Sequence, residues 1–258
     1  MLLAIDIGNT HIVFGVFEDE TLRHTFRVST TRTSTVDEYH VLLRELLALR
    51  GVGPEAIEAC VLCSVVPPLN DAMAEVVERA FGRAPLVVGP GIKTGISVLY
   101  ENPREIGADR IVNAVAAFER VKAGVVVVDF GTATTFDCVS PKGEYLGGVI
   151  VPGVQVSLDA LLSRAAKLSR IEIAEPPRVV GRNTAHAVQS GIVHGYSSLV
   201  DGLVEKLQAE LEFPCHVIAT GGLAPLITRH TRTVQEVDLD LTLTGLRILY
   251  ARNAVRQR

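Results

Sequence analysis

Tryptophan is absent from this 258-residue sequence and aromatic residues make up only 5% of it, so any core must be built from small and branched aliphatic side chains. Hydrophobic residues still amount to 48% against 21% charged, which excludes a disordered chain and suits α/β layers of Val-rich strands and Ala/Leu-rich helices. Four cysteines, Cys60, Cys63, Cys138 and Cys215, are too few and too dispersed for a disulfide framework. Cys60 and Cys63 form a CxxC, but within a strand-like run, where residues three apart point to opposite faces. Two small buried side chains are expected there rather than a metal or redox pair.

Other absences narrow the function. Acidic residues outnumber basic ones, 29 to 25, and no basic stripe with interleaved aromatics occurs, so nucleic-acid binding has no support. The one basic cluster, Arg252 to Arg258, reads as a solvated end. No apolar run approaches the ~20 residues that span a bilayer. Met1 leads straight into an apolar strand without a charged leader, so a cytoplasmic protein is expected. No GxGxxG opens a βα unit, and Gly89 to Thr94 lacks the spacing and flexibility of a Walker loop. The seven histidines show no ligand-like pairing, and no Ser-His-Asp or Cys-His constellation is legible.

What is present is a pattern of strands and helices that starts twice. Leu2–Ile7, His11–Phe17 and Thr21–Ser29 read as three strands. Asp37–Arg50 follows as a helix stopped at Gly51, then strand Ala59–Val66, a Pro67-Pro68 break, helix Leu69–Phe81 and strand Pro85–Val88. A loop rich in Gly and Pro runs to Arg104, before helix Ile106–Val121. Residues 125–139 (VVVVDFGTATTFDCV) then repeat residues 2–16 (LLAIDIGNTHIVFGV), placing Asp129 on Asp6 and Gly131 on Gly8. A helix from about Thr184 to Leu211, strand His216–Ala219, Thr220-Gly221-Gly222 and a helix from about Leu241 to Val255 complete the chain. The duplication predicts two similar lobes, residues 1–115 and 116–258.

Each copy ends an apolar strand with an Asp and a turn rich in exposed backbone N–H groups. Such a turn can wrap phosphate oxygens while the carboxylate holds a hydrated cation; a plain hairpin with Asp and Gly in turn positions is the alternative. Two copies, one per lobe, favour a grip on a triphosphate from both sides. Gly107-Ala108-Asp109-Arg110 lies at a helix start, where Asp109 either complements the helix dipole or serves as general base. Backbone donors, Arg110 and the upstream Tyr100-Glu101-Asn102-Pro103 loop favour a site for a carboxylate-bearing substrate with a reactive hydroxyl.

With these residues the chain resembles the acetate and sugar kinase, heat-shock chaperone and actin superfamily. Within it, Asp6-Ile-Gly-Asn-Thr10, Gly107-Ala-Asp-Arg110, Asp129 to Thr135, Gly147-Gly-Val-Ile-Val-Pro-Gly153 and Thr220-Gly-Gly222 are similar to type III pantothenate kinases, in order along the whole chain. The resemblance implies an α/β fold of two ribonuclease H-like lobes, the actin-like ATPase fold, with an ATP cleft between them. It implies ATP-dependent phosphorylation of pantothenate to 4'-phosphopantothenate, the first committed step of coenzyme A synthesis. Asp6, Ile7, Gly8, Asn9, Thr10, His11, Ile12, Val13 and Thr132 would then bind ATP, with Asp6 holding Mg²⁺, directly or through water. Asp109 would accept the hydroxyl proton; Tyr100, Gly107, Ala108, Arg110 and Thr184 would contact pantothenate; Asp129 would hold K⁺ or NH₄⁺.

Two other readings of the scaffold are an ATP-binding regulator without catalysis, and a phosphatase or sugar kinase. Retention of Asp6, Asp109 and Asp129 weighs against the first, and the Gly107–Arg110 context against the second. The resemblance also implies a homodimer through the second lobe. Val188, Ile192, Tyr196, Leu199, Leu203 and Leu207 form an apolar stripe that either covers the sheet of its own lobe or meets a partner subunit, with Gln189, Ser190, Ser197 and Ser198 as low-charge flanks.

Overall fold

The structure, a computed structural model, describes residues 1–165 and 171–254. These divide into two compact units, each organised around its own sheet.

The first unit is a five-stranded sheet. β1 (Leu2–Ile7) lies at its centre, antiparallel to β2 (His11–Glu18), which pairs in turn with β3 (Thr21–Ser29). On the other side β4 (Ala59–Ser64) runs parallel to β1, and β5 (Leu86–Val87) parallel to β4. α1 (Val36–Ala48) starts with a capping box, Thr35 and Glu38 bonding each other's backbone, and buries Tyr39, Leu43 and Leu47 at four-residue steps. α2 (Asn70–Phe81) packs beside it, burying Met73, Val76 and Val77, and ends at Gly82 in the left-handed region. These helices and one face of the sheet enclose a core that includes Leu3, Ile5, Ile7, Leu62 and Cys60.

The second unit has six strands. β7 (Val125–Phe130), β8 (Ala133–Val139) and β9 (Glu144–Pro152) form an antiparallel meander. β10 (His216–Thr220) runs parallel to β7 and β11 (Glu236–Val237) parallel to β10; β6 (Ser97–Val98) closes the other edge, parallel to β9. α4 (Val154–Arg164), α5 (Thr184–Leu211) and the short α6 (Ala224–Ile227) complete it. Among the described residues no helix is long and apolar enough to cross a membrane.

The duplication expected from the sequence appears as two hairpins with the same burial. In β1 and β7 alike, the Asp is the one residue not fully buried. Their turns differ by a residue: Ile7 pairs with Ile12 in the first, Phe130 with Thr134 in the second.

The units are not contiguous halves. The chain passes from the first to the second within α3 (Ala108–Val121), between Ala116 and Ala117. However, Ile96–Tyr100 belongs to the second unit, and α7 (Leu241–Ala254) from Thr242 onward to the first. The reason is packing remote in sequence. Leu243 lies over Gly15 of β2, Thr242 Oγ1 donates to Asn113 Oδ1 at 2.7 Å, and Arg247 pairs with Glu20 at 3.1 Å. Arg252, expected in a solvated end, donates to the carbonyl of Thr94; Val255 and the remaining basic residues lie outside the described part.

The stripe on α5 packs on its own unit. Ile192, Tyr196, Leu199, Leu203 and Leu207 are partly buried against the core, while the deepest face runs through Val193, Ser197, Val200 and Val204. Ser190 and Ser197 are thus not outer flanks. Ser190 donates to the Val179 carbonyl at 2.5 Å and Ser197 to that of His194 at 3.0 Å.

Candidate active site

In the first unit, β1 brings Asp6 to the end of a buried strand and hands over to the turn Gly8-Asn9-Thr10. Thr30, just beyond β3, staples that turn: its Oγ1 donates to the Gly8 carbonyl at 2.6 Å and its N–H to the Thr10 carbonyl at 2.9 Å. A trans peptide directs its C=O and N–H oppositely, so the Gly8 carbonyl's engagement turns the Asn9 N–H away from Thr30. Asn9 Oδ1 is held by Arg32 at 2.8 Å. His11, Ile12 and Val13 continue into β2, Ile12 entering the core.

α3 supplies the second carboxylate. Asp109 lies in its first turn, and its Oδ1 accepts the Arg110 N–H at 2.8 Å. Arg110 itself is buried, 8% exposed. Burial pushes the Asp109 carboxyl up, opposed by the Arg110 N–H and guanidinium. Asp6 is raised from 3.8 to about 6, by burial first and then by the charge of Asp109. The two carboxylates therefore share one neighbourhood, in which the charge of Asp109 disfavours ionisation of Asp6.

A third group stands with them. In parallel register Asp6 pairs with Cys63, whose Sγ donates to Asp6 Oδ1 at 3.2 Å. Cys63 is 0% exposed, and burial and the charges of Asp6 and Asp109 push its thiol well above the usual range, so it remains protonated. As the spacing predicts, Cys60 faces the opposite side, in the core cluster. Treating Cys63 as filler missed its contact with Asp6; the signal, its register opposite Asp6, requires knowing that β1 and β4 pair.

In the second unit Asp129 ends β7 beside Thr220 of β10, in parallel register. Gly221 follows with φ +93°, and a Cβ there would lie 2.8 Å from Asp129 Oδ1, so only glycine passes this close to the carboxylate. Thr132 is exposed in the turn, and its carbonyl accepts the Gly153 N–H at 3.1 Å. Tyr100 is tied to the sheet edge: the neighbouring Leu99 N–H donates to the Tyr145 carbonyl at 2.8 Å, and the rings of Tyr100 and Tyr145 lie 6.3 Å apart. Tyr145 is itself fixed by its hydroxyl, which donates to the buried Asp137 at 2.6 Å. Gly147, at φ +112°, makes room for the Tyr100 ring.

Thr184 is exposed at the first position of α5, and it is not the cap: Asn183 is, its Oδ1 accepting the His186 N–H at 2.8 Å. The structure thus joins Asp6 and Asp109, with Cys63 added, in the first unit. It places Tyr100, Asp129, Thr132 and Thr184 in the second, and Gly107, Ala108 and Arg110 beside Asp109 in the first.

A cation suits these residues in kind. Among the described residues no three His, Cys, Asp or Glu side chains converge as a closed metal cage. Two half-buried carboxylates beside a turn rich in N–H groups instead match a hard, hydrated dication that keeps most of its water and shares phosphate oxygens. Asp129, at the end of β7, offers carboxylate oxygens, donors that suit a hard cation.

Comparison with known proteins adds the following. The family model for type III pantothenate kinase matches residues 2–206. A Myxococcus xanthus (strain DK1622) protein named type III pantothenate kinase is 56% identical over 253 residues, covering 98% of this chain and 99% of that one. Among solved structures, a Campylobacter jejuni protein described as a Baf family transcriptional activator superposes with TM-score 0.61 at 18% identity, covering 98% of this chain and 99% of that one. The inorganic polyphosphate/ATP-glucomannokinase of Arthrobacter sp. strain KM does so with TM-score 0.51 at 16% identity, covering 97% and 98%. At those identities the structural likeness shows the fold alone: the two-lobed actin-like and sugar-kinase fold.

Proposed function

The chain belongs to the type III pantothenate kinase family and transfers a phosphoryl group from ATP to pantothenate in coenzyme A biosynthesis, and on that premise we propose how its residues divide the work. The observation that carries the assignment is the meeting of Asp6 and Asp109 in one neighbourhood, one carboxylate on the phosphate turn and the other at a helix start.

The turn from Asp6 to Val13 binds the ATP phosphates, with the Asn9 N–H among its donors, and Thr132 makes a further contact. Asp6 holds Mg²⁺, which when bound neutralises charge on the phosphate oxygens. Asp129 holds K⁺ or NH₄⁺. Gly107, Ala108, Arg110, Tyr100 and Thr184 bind pantothenate, the Arg110 guanidinium and the helix-start N–H groups suiting its carboxylate.

Asp109 is the proton acceptor. Its Oδ1 accepts the Arg110 N–H, and Oδ2 is the oxygen assigned to the substrate hydroxyl. The hydroxyl oxygen bonds to the γ-phosphorus, the bond from that phosphorus to the β,γ-bridging oxygen breaks, ADP leaves and the proton passes to Oδ2. The transition state is loose, so alignment and electrostatics carry the rate and the proton moves late. The reaction runs in the cytoplasm, where ATP is drawn.

The working unit is a homodimer formed through the second unit. Its support is a set of large apolar side chains left exposed there: Ile150, Val156, Leu161, Val179 and Val180. Incubating the protein with ATP and, in parallel, pantothenate, acetate and a panel of sugars tests the assignment. Phosphorylation of pantothenate alone is expected; phosphorylation of a sugar in preference would overturn it.

A further inference from the structure

Asp6 sits at the end of β1 with one donor from a neighbouring strand, the Cys63 thiol at 3.2 Å. We propose that Cys63 is a positioning residue for the phosphoryl transfer: its S–H bond to Oδ1 fixes the Asp6 carboxylate so that Oδ2 is presented to the cation on the ATP phosphates. The inference rests on the reading of Asp6 as the cation-holding carboxylate.

Three observations support it. Parallel pairing of β1 with β4 sets Asp6 directly beside Cys63, on the same face of the sheet, so the contact follows from backbone register rather than from a flexible side chain. Cys63 is fully buried yet faces away from the core cluster that takes Cys60, so packing into that core does not account for it. The second unit repeats the arrangement: Asp129 stands in parallel register beside Thr220, also buried and also carrying a side-chain donor. In both units, then, the strand that flanks the Asp supplies a small residue with one S–H or O–H. A carboxylate on a free strand end explores several rotamers; a donor on one oxygen selects among them.

The test uses the full-length protein and Mn²⁺ as the probe, its binding read by electron paramagnetic resonance with a non-hydrolysable ATP analogue present, beside kcat and the Mg²⁺ dependence of the rate. Cys63→Ala should weaken Mn²⁺ binding about three- to tenfold, the usual worth of one hydrogen bond. Cys63→Ser, which keeps a donor, should restore it to within about twofold. Should the alanine variant not fold, Cys63→Val fills the space and donates nothing. Wild-type Mn²⁺ affinity in the Ala or Val variant, with Asp6→Asn impaired, would overturn the role of Cys63. A serine variant as weak as the alanine one would also overturn it, pointing to packing alone. Unchanged binding in Asp6→Asn would instead remove the reading of Asp6, and the role of Cys63 with it.

Discussion

Replacing Asp6 by asparagine should make the ligand-free protein more stable while costing it activity. The carboxyl is raised from 3.8 to about 6, by burial and then by Asp109. A shift of about two units corresponds to ~3 kcal/mol of unfavourable ionisation at neutral pH, taking ~1.36 kcal/mol per unit. Asparagine has the same shape and its oxygen still accepts from Cys63, but a buried amide keeps part of the polar penalty, so a gain of about 1–2 kcal/mol is expected. For a chain of this length that raises Tm by roughly 2–8 °C. The sign with pH follows from linkage. A carboxyl whose folded pKa is raised lends the native state a contribution that is full below its unfolded pKa of 3.8 and is lost as pH rises through about 6. The stability advantage of the variant should therefore be full at pH 7.5 and shrink towards zero near pH 4. Paired thermal melts of wild type and Asp6→Asn across that range, without nucleotide or divalent metal, give the answer. An asparagine variant no more stable at pH 7.5, or an advantage independent of pH, would refute the clustering of charge described for this site.

Three further outcomes are expected. Activity with sodium as the only monovalent ion should rise when potassium or ammonium is added, and equal rates in all three would count against Asp129 as the ion's ligand. Gly147→Ala should raise KM for pantothenate and leave KM for ATP unchanged, since a Cβ would approach the Tyr100 ring to 3.2 Å; steady-state kinetics with each substrate varied decides it. Sedimentation at assay concentrations should report about twice 27.7 kDa, and a fully active monomer would exclude the dimer.

Much of this was legible in the chain. Leu2–Ile7, Thr21–Ser29 and Thr184–Leu211 have the expected boundaries, because an apolar strand running into Asp6 and Gly8, an alternating strand and a long periodic helix leave few alternatives. The Gly/Pro-rich stretch before Arg104 concealed β6, only two residues long and formed by pairing with β9. β9 and α4 were hidden within Glu144 to Arg164, where glycines and Pro152 interrupt the periodicity on which such readings depend. Local pattern also gave no means of assigning α7 to the first unit, since its partners Gly15 and Asn113 are more than a hundred residues away. Cys63 was missed for the same reason: alternation fixes its face, but only the pairing of β1 with β4 puts Asp6 beside it. At Thr184 the helix has already begun, its cap being Asn183 one residue earlier.

The central claim is that Asp109 accepts the hydroxyl proton as ATP phosphorylates pantothenate. Single-turnover phosphorylation by Asp109→Asn, measured beside calorimetric binding of pantothenate, tests it most directly. The expected result is a rate ~10²–10⁴-fold lower with pantothenate still bound, the usual contribution of a general base. A folded variant that turns over at close to the wild-type rate would contradict it.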